Sequence, residues 1–149
     1  MNNKRTSGFW FVMISGILIV VLLLLGQTMS FINYEFTVSL GLQEPVDQIG
    51  KIGVAVNKAF GVGDTIIYIP LLIVGLIGLW HKKKWGIWSM VAALGITAYW
   101  PVVCLFIIFF SVSVPEVNFT DVYSYVVVLG FITLYGLWGI WYLYKIKIN

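Results

Sequence analysis

Residues 62–86 read Val-Gly-Asp-Thr-Ile-Ile-Tyr-Ile-Pro-Leu-Leu-Ile-Val-Gly-Leu-Ile-Gly-Leu-Trp-His-Lys-Lys-Lys-Trp-Gly. From Val62 to Trp80 the only charged residue is Asp64. A helix needs about 20 mostly apolar residues to cross ~30 Å of hydrocarbon at ~1.5 Å per residue, and this run meets that length. It stops at His81 and the lysines 82, 83 and 84, and a second apolar run starts at Gly86. Two such runs joined by so short a polar turn predict an antiparallel helical hairpin within a membrane.

Working outward, the chain holds two more runs of this kind. The predicted spans are residues 8–29, 62–80, 86–112 and 122–144. The fold class is therefore an all-α membrane protein, a four-transmembrane-helix bundle forming one domain over residues 1–149. Composition agrees: 60% of residues are hydrophobic and 10% charged, against roughly a quarter charged in soluble domains. The opening Lys4-Arg5 precedes an apolar run at 9–25 that is longer than the ~7–15 residues of a cleaved signal, and no Ala-x-Ala site follows. The reading is an uncleaved anchor, without a lipidation motif.

Charge sets the predicted orientation. Lys4, Arg5, Lys82, Lys83, Lys84, Lys145 and Lys147 fall on one side of the four-span arrangement. The other side receives every acid, with only Lys51 and Lys58. Basic residues mark the cytoplasmic side, so both termini and the central turn are expected inside a cell (plasma) membrane. Trp10, Trp80, Trp85, Trp88, Trp138 and Trp141 gather near the same ends, where aromatic rings anchor at headgroups.

Outside the spans, residues 45–60 have the period of an outer amphipathic helix. Val46, Ile49, Ile52, Gly53, Val56 and Phe60 share one face, and Glu44, Asp47, Gln48, Lys51 and Lys58 gather on the other. Amphipathicity alone requires only that it lie in the membrane interface; covering the bundle is the alternative. Residues 31–42 alternate weakly and are expected to be a short strand or an extended stretch. Asn118-Phe119-Thr120 matches a glycosylation sequon, a short motif that is frequent by chance.

Asp64 concentrates the chemistry. An acid inside a span costs about 2.5–3.5 kcal/mol at the centre and marks a functional position by default. It lies only ~3 Å beyond Val62, however, and a break at Gly61-Val62-Gly63 would make it a helix cap, which is the favoured reading. The functional reading places Tyr68 one turn further along, followed by Pro70, and matches them with Tyr99-Trp100-Pro101 on span three. Each proline leaves a carbonyl without its helical donor. In that reading Asp64, Tyr68, Tyr99 and Trp100 line an outer-half pocket, Tyr123 or Tyr125 completes it, and the 45–60 helix covers it.

Several functions are excluded or weakened. Cys104 is the only cysteine, so no internal disulfide, Cys-x-x-Cys pair or cysteine zinc site forms, and quinone-linked disulfide-oxidase chemistry lacks its cysteine pairs. Small multidrug exporters need a buried glutamate in the first helix; residues 8–29 contain no acid. No basic face suggests nucleic acid. The sole histidine, His81, stands among lysines with no acid beside it, as a solvated headgroup contact. No nucleophile–base pair or cofactor motif is visible, which leaves an enzyme the weakest reading. Ser89, Ala93 and Thr97 form a small-residue stripe suited to close helix packing within the chain or in a homo-oligomer. The preferred expectation is a protein that binds a lipid or small amphiphile, or supports a membrane partner. An oligomeric transporter or channel for a small neutral solute is the alternative.

Overall fold

The computed structural model describes residues 6–111, 113, 114, 117, 119 and 122–148, with side chains as far as Lys145. Lys4, Arg5, Glu116, Asp121, the Lys147 side chain and the sequon residues Asn118 and Thr120 lie outside the described residues. The described elements are helices: α1 (Ser7–Leu23), α2 (Met29–Ile32), α3 (Tyr34–Ser39), α4 (Val46–Gly63), α5 (Ile69–Trp80), α6 (Lys84–Ser111) and α7 (Val122–Ile148). Two five-residue π-helical stretches, Leu24–Thr28 and Asp64–Tyr68, join α1 to α2 and α4 to α5. Four continuous helices, Ser7–Ile32, Val46–Trp80, Lys84–Ser111 and Val122–Lys145, are long and apolar enough to cross a membrane.

Residues 31–42 correct the expectation of a strand. The chain turns at Asn33, whose side chain accepts from the Phe36 N–H at 3.2 Å and starts α3. Thr37 and Ser39 then donate back to the carbonyls of Tyr34 and Phe36, at 2.6 and 2.8 Å. These local bonds satisfy a helix of six residues, whatever the weak alternation suggests.

Gly61-Val62-Gly63 does not break the chain either. Asp64 has helical dihedrals, φ −63° and ψ −40°, and the helix passes straight through it. It caps nothing, because the N–H groups that follow already have partners within the helix. The real break lies earlier. Gly50 has φ 68° and ψ 173°, a conformation open to glycine and strained for residues with a Cβ. The kink rotates the first turn of α4 against the rest. Ile49 is therefore buried while Ile52 is 82% exposed, although an uninterrupted helix would place them on one face.

Between helices this apolar on their outer faces, a bilayer would supply little hydrophobic drive, so close packing and hydrogen bonds hold the bundle. A Cβ on Gly75 would press on the Met90 backbone, and one on Gly78 on the Gly86 backbone, so α5 and α6 meet at glycine contacts. Gly136 packs against Ala98 and the Leu94 carbonyl, joining α6 to α7. The stripe at Ser89, Ala93 and Thr97 lies in the α5–α6 seam: Ser89 donates to the Leu71 carbonyl (2.8 Å), Ala93 is fully buried, and the Thr97 and Tyr68 hydroxyls bond at 2.6 Å. Val12, Leu72, Met90 and Leu94 centre the core.

The ring closes through aromatics. Phe11 meets Tyr135 and Trp138 edge to face, Trp10 meets Trp80, and the Thr6 and Tyr142 hydroxyls bond to each other. The turn after α5 shares this end of the bundle. It is a Schellman closure in which the Lys83 N–H bonds the Gly78 carbonyl, the Lys82 N–H bonds that of Leu79, and Lys82 takes φ 55°.

Candidate functional site

The site forms at the opposite end, where α4 passes over the bundle. Contacts with span one fix α4 in place. Gly61 sits so close to the Gln27 carbonyl and the Ser30 hydroxyl that a Cβ there has no room. One turn on, the Thr65 and Thr28 hydroxyls bond at 2.7 Å. Above them a polar chain ties the connecting segment down: Asn57 donates to Tyr34 Oη (3.1 Å) and to Gln43 Oε1 (2.7 Å). Gln43 Nε2 donates to the Gly26 carbonyl (3.3 Å), and Tyr34 Oη donates to the Glu44 carbonyl (2.9 Å). Lys58 Nζ lies over the Tyr34 ring, 5.8 Å from its centroid. Desolvation raises the Glu44 carboxyl above its ordinary range. The Tyr34 hydroxyl is raised mainly by burial and, to a lesser degree, by Glu44, against the lowering effect of the Asn57 bond.

This scaffold leaves a cleft of about 760 Å³ between α4 and the facing parts of α6 and α7. That volume lies within the ~300–1,000 Å³ usual for small-molecule sites. Ile49, Val56 and Phe60 form its roof, Cys104 and Ile108 its α6 wall, and Leu129 and Tyr125 its α7 wall. Gln27 and Trp100 are the polar groups at its inner end. Gln27 Oε1 and Trp100 Nε1 are both buried, and neither has a hydrogen-bond partner among the described residues. Gln43, Glu44, Lys51 and Asn57 add polar groups to a lining that is otherwise mostly apolar.

The five residues expected to line a pocket divide. Trp100 lines the cleft. Asp64 is 7% exposed, its Oδ2 has no partner among the described residues, and it is not part of the cleft lining, although it is within electrostatic reach of Cys104 and Tyr68. Tyr68 is spent on Thr97 in the seam. Tyr99 is 71% exposed and Tyr123 80% exposed, both turned away from the cleft. Helical geometry explains these two. Neighbouring residues project ~100° apart, so Tyr99 cannot share a face with Trp100, and Tyr125 rather than Tyr123 faces inward. Trp100 and Cys104, four apart, do share a face.

The sequence reading passed over Gln27, Gln43 and Asn57. Gln27 carried a usable signal, being an amide within an apolar run whose hydrogen bonds must go somewhere. No metal-binding group of His, Cys, Asp and Glu occurs among the described residues. Compared with family models, curated proteins and solved structures, the chain matches none.

Proposed function

We propose that this protein binds a lipid or small amphiphile in the cleft beneath α4. It is a multi-pass protein of the plasma membrane, with both termini and the Lys82–Lys84 turn cytoplasmic and the cleft on the outer half. The single observation that carries this reading is the cleft itself, an apolar space of ligand size roofed by a helix that hydrogen bonds hold in place. In α4 the residues from Ile49 to Phe60 serve as the roof, and Val46 on its exposed side rests in the outer interface. The asymmetry of lysines and acids supports the orientation.

Native mass spectrometry of the protein in lipid nanodiscs tests the reading. A defined amphiphile should remain on the wild type and be lost from Val56→Trp, which fills the cleft from its half-exposed roof. If both proteins emerge bare, or carry the same unselected bulk lipid, the reading fails.

A further inference from the structure

The end of the bundle opposite the cleft carries a surface built from charge rather than from a cavity. The turn alone supplies Lys82, Lys83 and Lys84, fewer than the roughly 4–8 basic residues that mark recognition of anionic lipid. The fold adds a fourth from a helix remote in sequence. α5 and α6 meet at Gly78 and Gly86, which holds the turn tight against the bundle. Gly139 of α7 packs on Leu94 of α6. Followed toward the turn, that antiparallel register brings Lys145 level with Trp88, a single helical turn short of Lys84. We infer that this end is a binding surface for anionic phospholipid, its phosphates met by the Lys82–Lys84 turn together with Lys145.

Charge complementarity carries the choice of partner. All four lysines are exposed. The described acids, Glu35, Glu44, Asp47 and Asp64, belong to α3, to α4 and to the segments that flank α4 at the other end. No described acid therefore stands at this end to neutralise Lys83, Lys84 or Lys145. Lysine offers phosphate a compact point charge, and the attraction reaches about 8 Å at physiological salt, so the lysines act together without sharing one phosphate. The aromatic rings fix the source of that phosphate. Trp80, Trp85, Trp88 and Trp141 are about half exposed at this end, and such rings seat at head-group depth. Lys145 Nζ stands over the Trp141 ring, 4.1 Å from its centroid, which keeps the ammonium beside the head groups. In the proposed orientation the surface meets the cytoplasmic leaflet, whose potential is negative. The cleft takes no part in it.

Nanodiscs of equal parts dioleoylphosphatidylglycerol and dioleoylphosphatidylcholine, which differ only in head group, test this on the full-length protein. Native mass spectrometry identifies the lipids that stay bound. The wild type should retain phosphatidylglycerol over phosphatidylcholine by about tenfold or more, and Lys84→Gln/Lys145→Gln should lower that ratio about fivefold. Lys51→Gln/Lys58→Gln removes the same charge from the other end and should leave the ratio unchanged. Lys84→Arg/Lys145→Arg keeps the charge and should keep the preference. Equal retention of the two lipids by the wild type overturns the inference. An equal fall in both glutamine pairs overturns it too, because net charge alone would then be at work. Loss of the preference in the arginine pair does the same, by making the lysines supports of the fold. Thermal unfolding in the same discs checks each variant. If the Lys84→Gln/Lys145→Gln pair is unfolded, Lys83→Gln decides, and an unchanged ratio there counts against the surface. Val56→Trp should also leave the ratio unchanged; a fall in that variant alone would put the anionic lipid in the cleft, supporting the cleft reading and overturning this one.

Discussion

The hydroxyl oxygens of Thr28 and Thr65 lie 2.7 Å apart, each within the π-helical stretch of its own helix. A π-helical turn accommodates an extra residue by widening the helix, and such turns are frequent at functional sites. Here two of them face each other where the end of α4 meets span one. The widening brings the Thr65 side chain across to span one while its hydroxyl still reaches the Gly61 carbonyl at 2.8 Å. The arm that forms the roof is thereby tied to the bundle where it leaves it.

A double-mutant cycle on this pair measures the tie. Thr28→Val and Thr65→Val should each destabilise, with a coupling of about 0.6 kcal/mol and no more than ~1.7, the range of hydrogen bonds between membrane helices. Reversible unfolding in mixed micelles reads the four stabilities. Strict additivity would mean the two hydroxyls contribute nothing to one another.

Two glycines of α4 should respond in opposite ways. Gly61 abuts the Gln27 backbone, which cannot step aside, whereas nothing lies near Gly63. Gly61→Ala should destabilise by about 1–3 kcal/mol through overpacking. Gly63→Ala should be neutral or stabilise by up to ~1 kcal/mol, the ordinary helix gain of alanine. Similar effects at both sites would contradict the close approach of α4 to span one.

Orientation is open to labelling. In a Cys104→Ser background, single cysteines at Lys58 and Lys83 are treated on intact cells with a membrane-impermeant maleimide. The position-58 thiol should react and the position-83 thiol only after permeabilisation. The reverse pattern would invert the membrane topology.

Glu44 gives a pH dependence whose sign follows from its environment. Desolvation raises its carboxyl in the folded protein, so folding favours the neutral form. Its contribution is fully present below the unfolded value and fades as pH rises through the folded one. Glu44→Gln should therefore be at least as stable as wild type at neutral pH, and stability should decline less as pH rises from about 4. A variant clearly less stable than wild type at pH 7 would show that the ionised carboxylate is needed.

Much of this was legible beforehand. Four apolar runs of crossing length, a short basic turn and one small-residue stripe require no partner information to be read. Length, hydropathy and spacing are local properties, and the helices Ser7–Ile32, Lys84–Ser111 and Val122–Lys145 follow them closely. Trp100 was legible as a candidate for the same reason, as the tryptophan set apart from its fellows. Tyr99 and Tyr123 show the limit of that reasoning, because proximity in sequence near a helix end says nothing about which way a side chain turns.

What the sequence alone determined is the four long apolar runs and that they are helical, because a chain this apolar must satisfy its backbone hydrogen bonds internally wherever it leaves water. The tertiary structure decided the rest. It carried the helix through Gly61–Gly63, moved the break to Gly50, and aligned two π-helical turns so that Thr28 meets Thr65. It also gathered Gln27 from span one and Trp100 from span three around one cleft, with Gln27 Oε1 and Trp100 Nε1 unpaired among the described residues. Those outcomes depend on contacts between residues far apart in the chain, and on the rotation of each helix about its axis. No local pattern fixes that rotation, since it is set by which neighbour's backbone a glycine lets in.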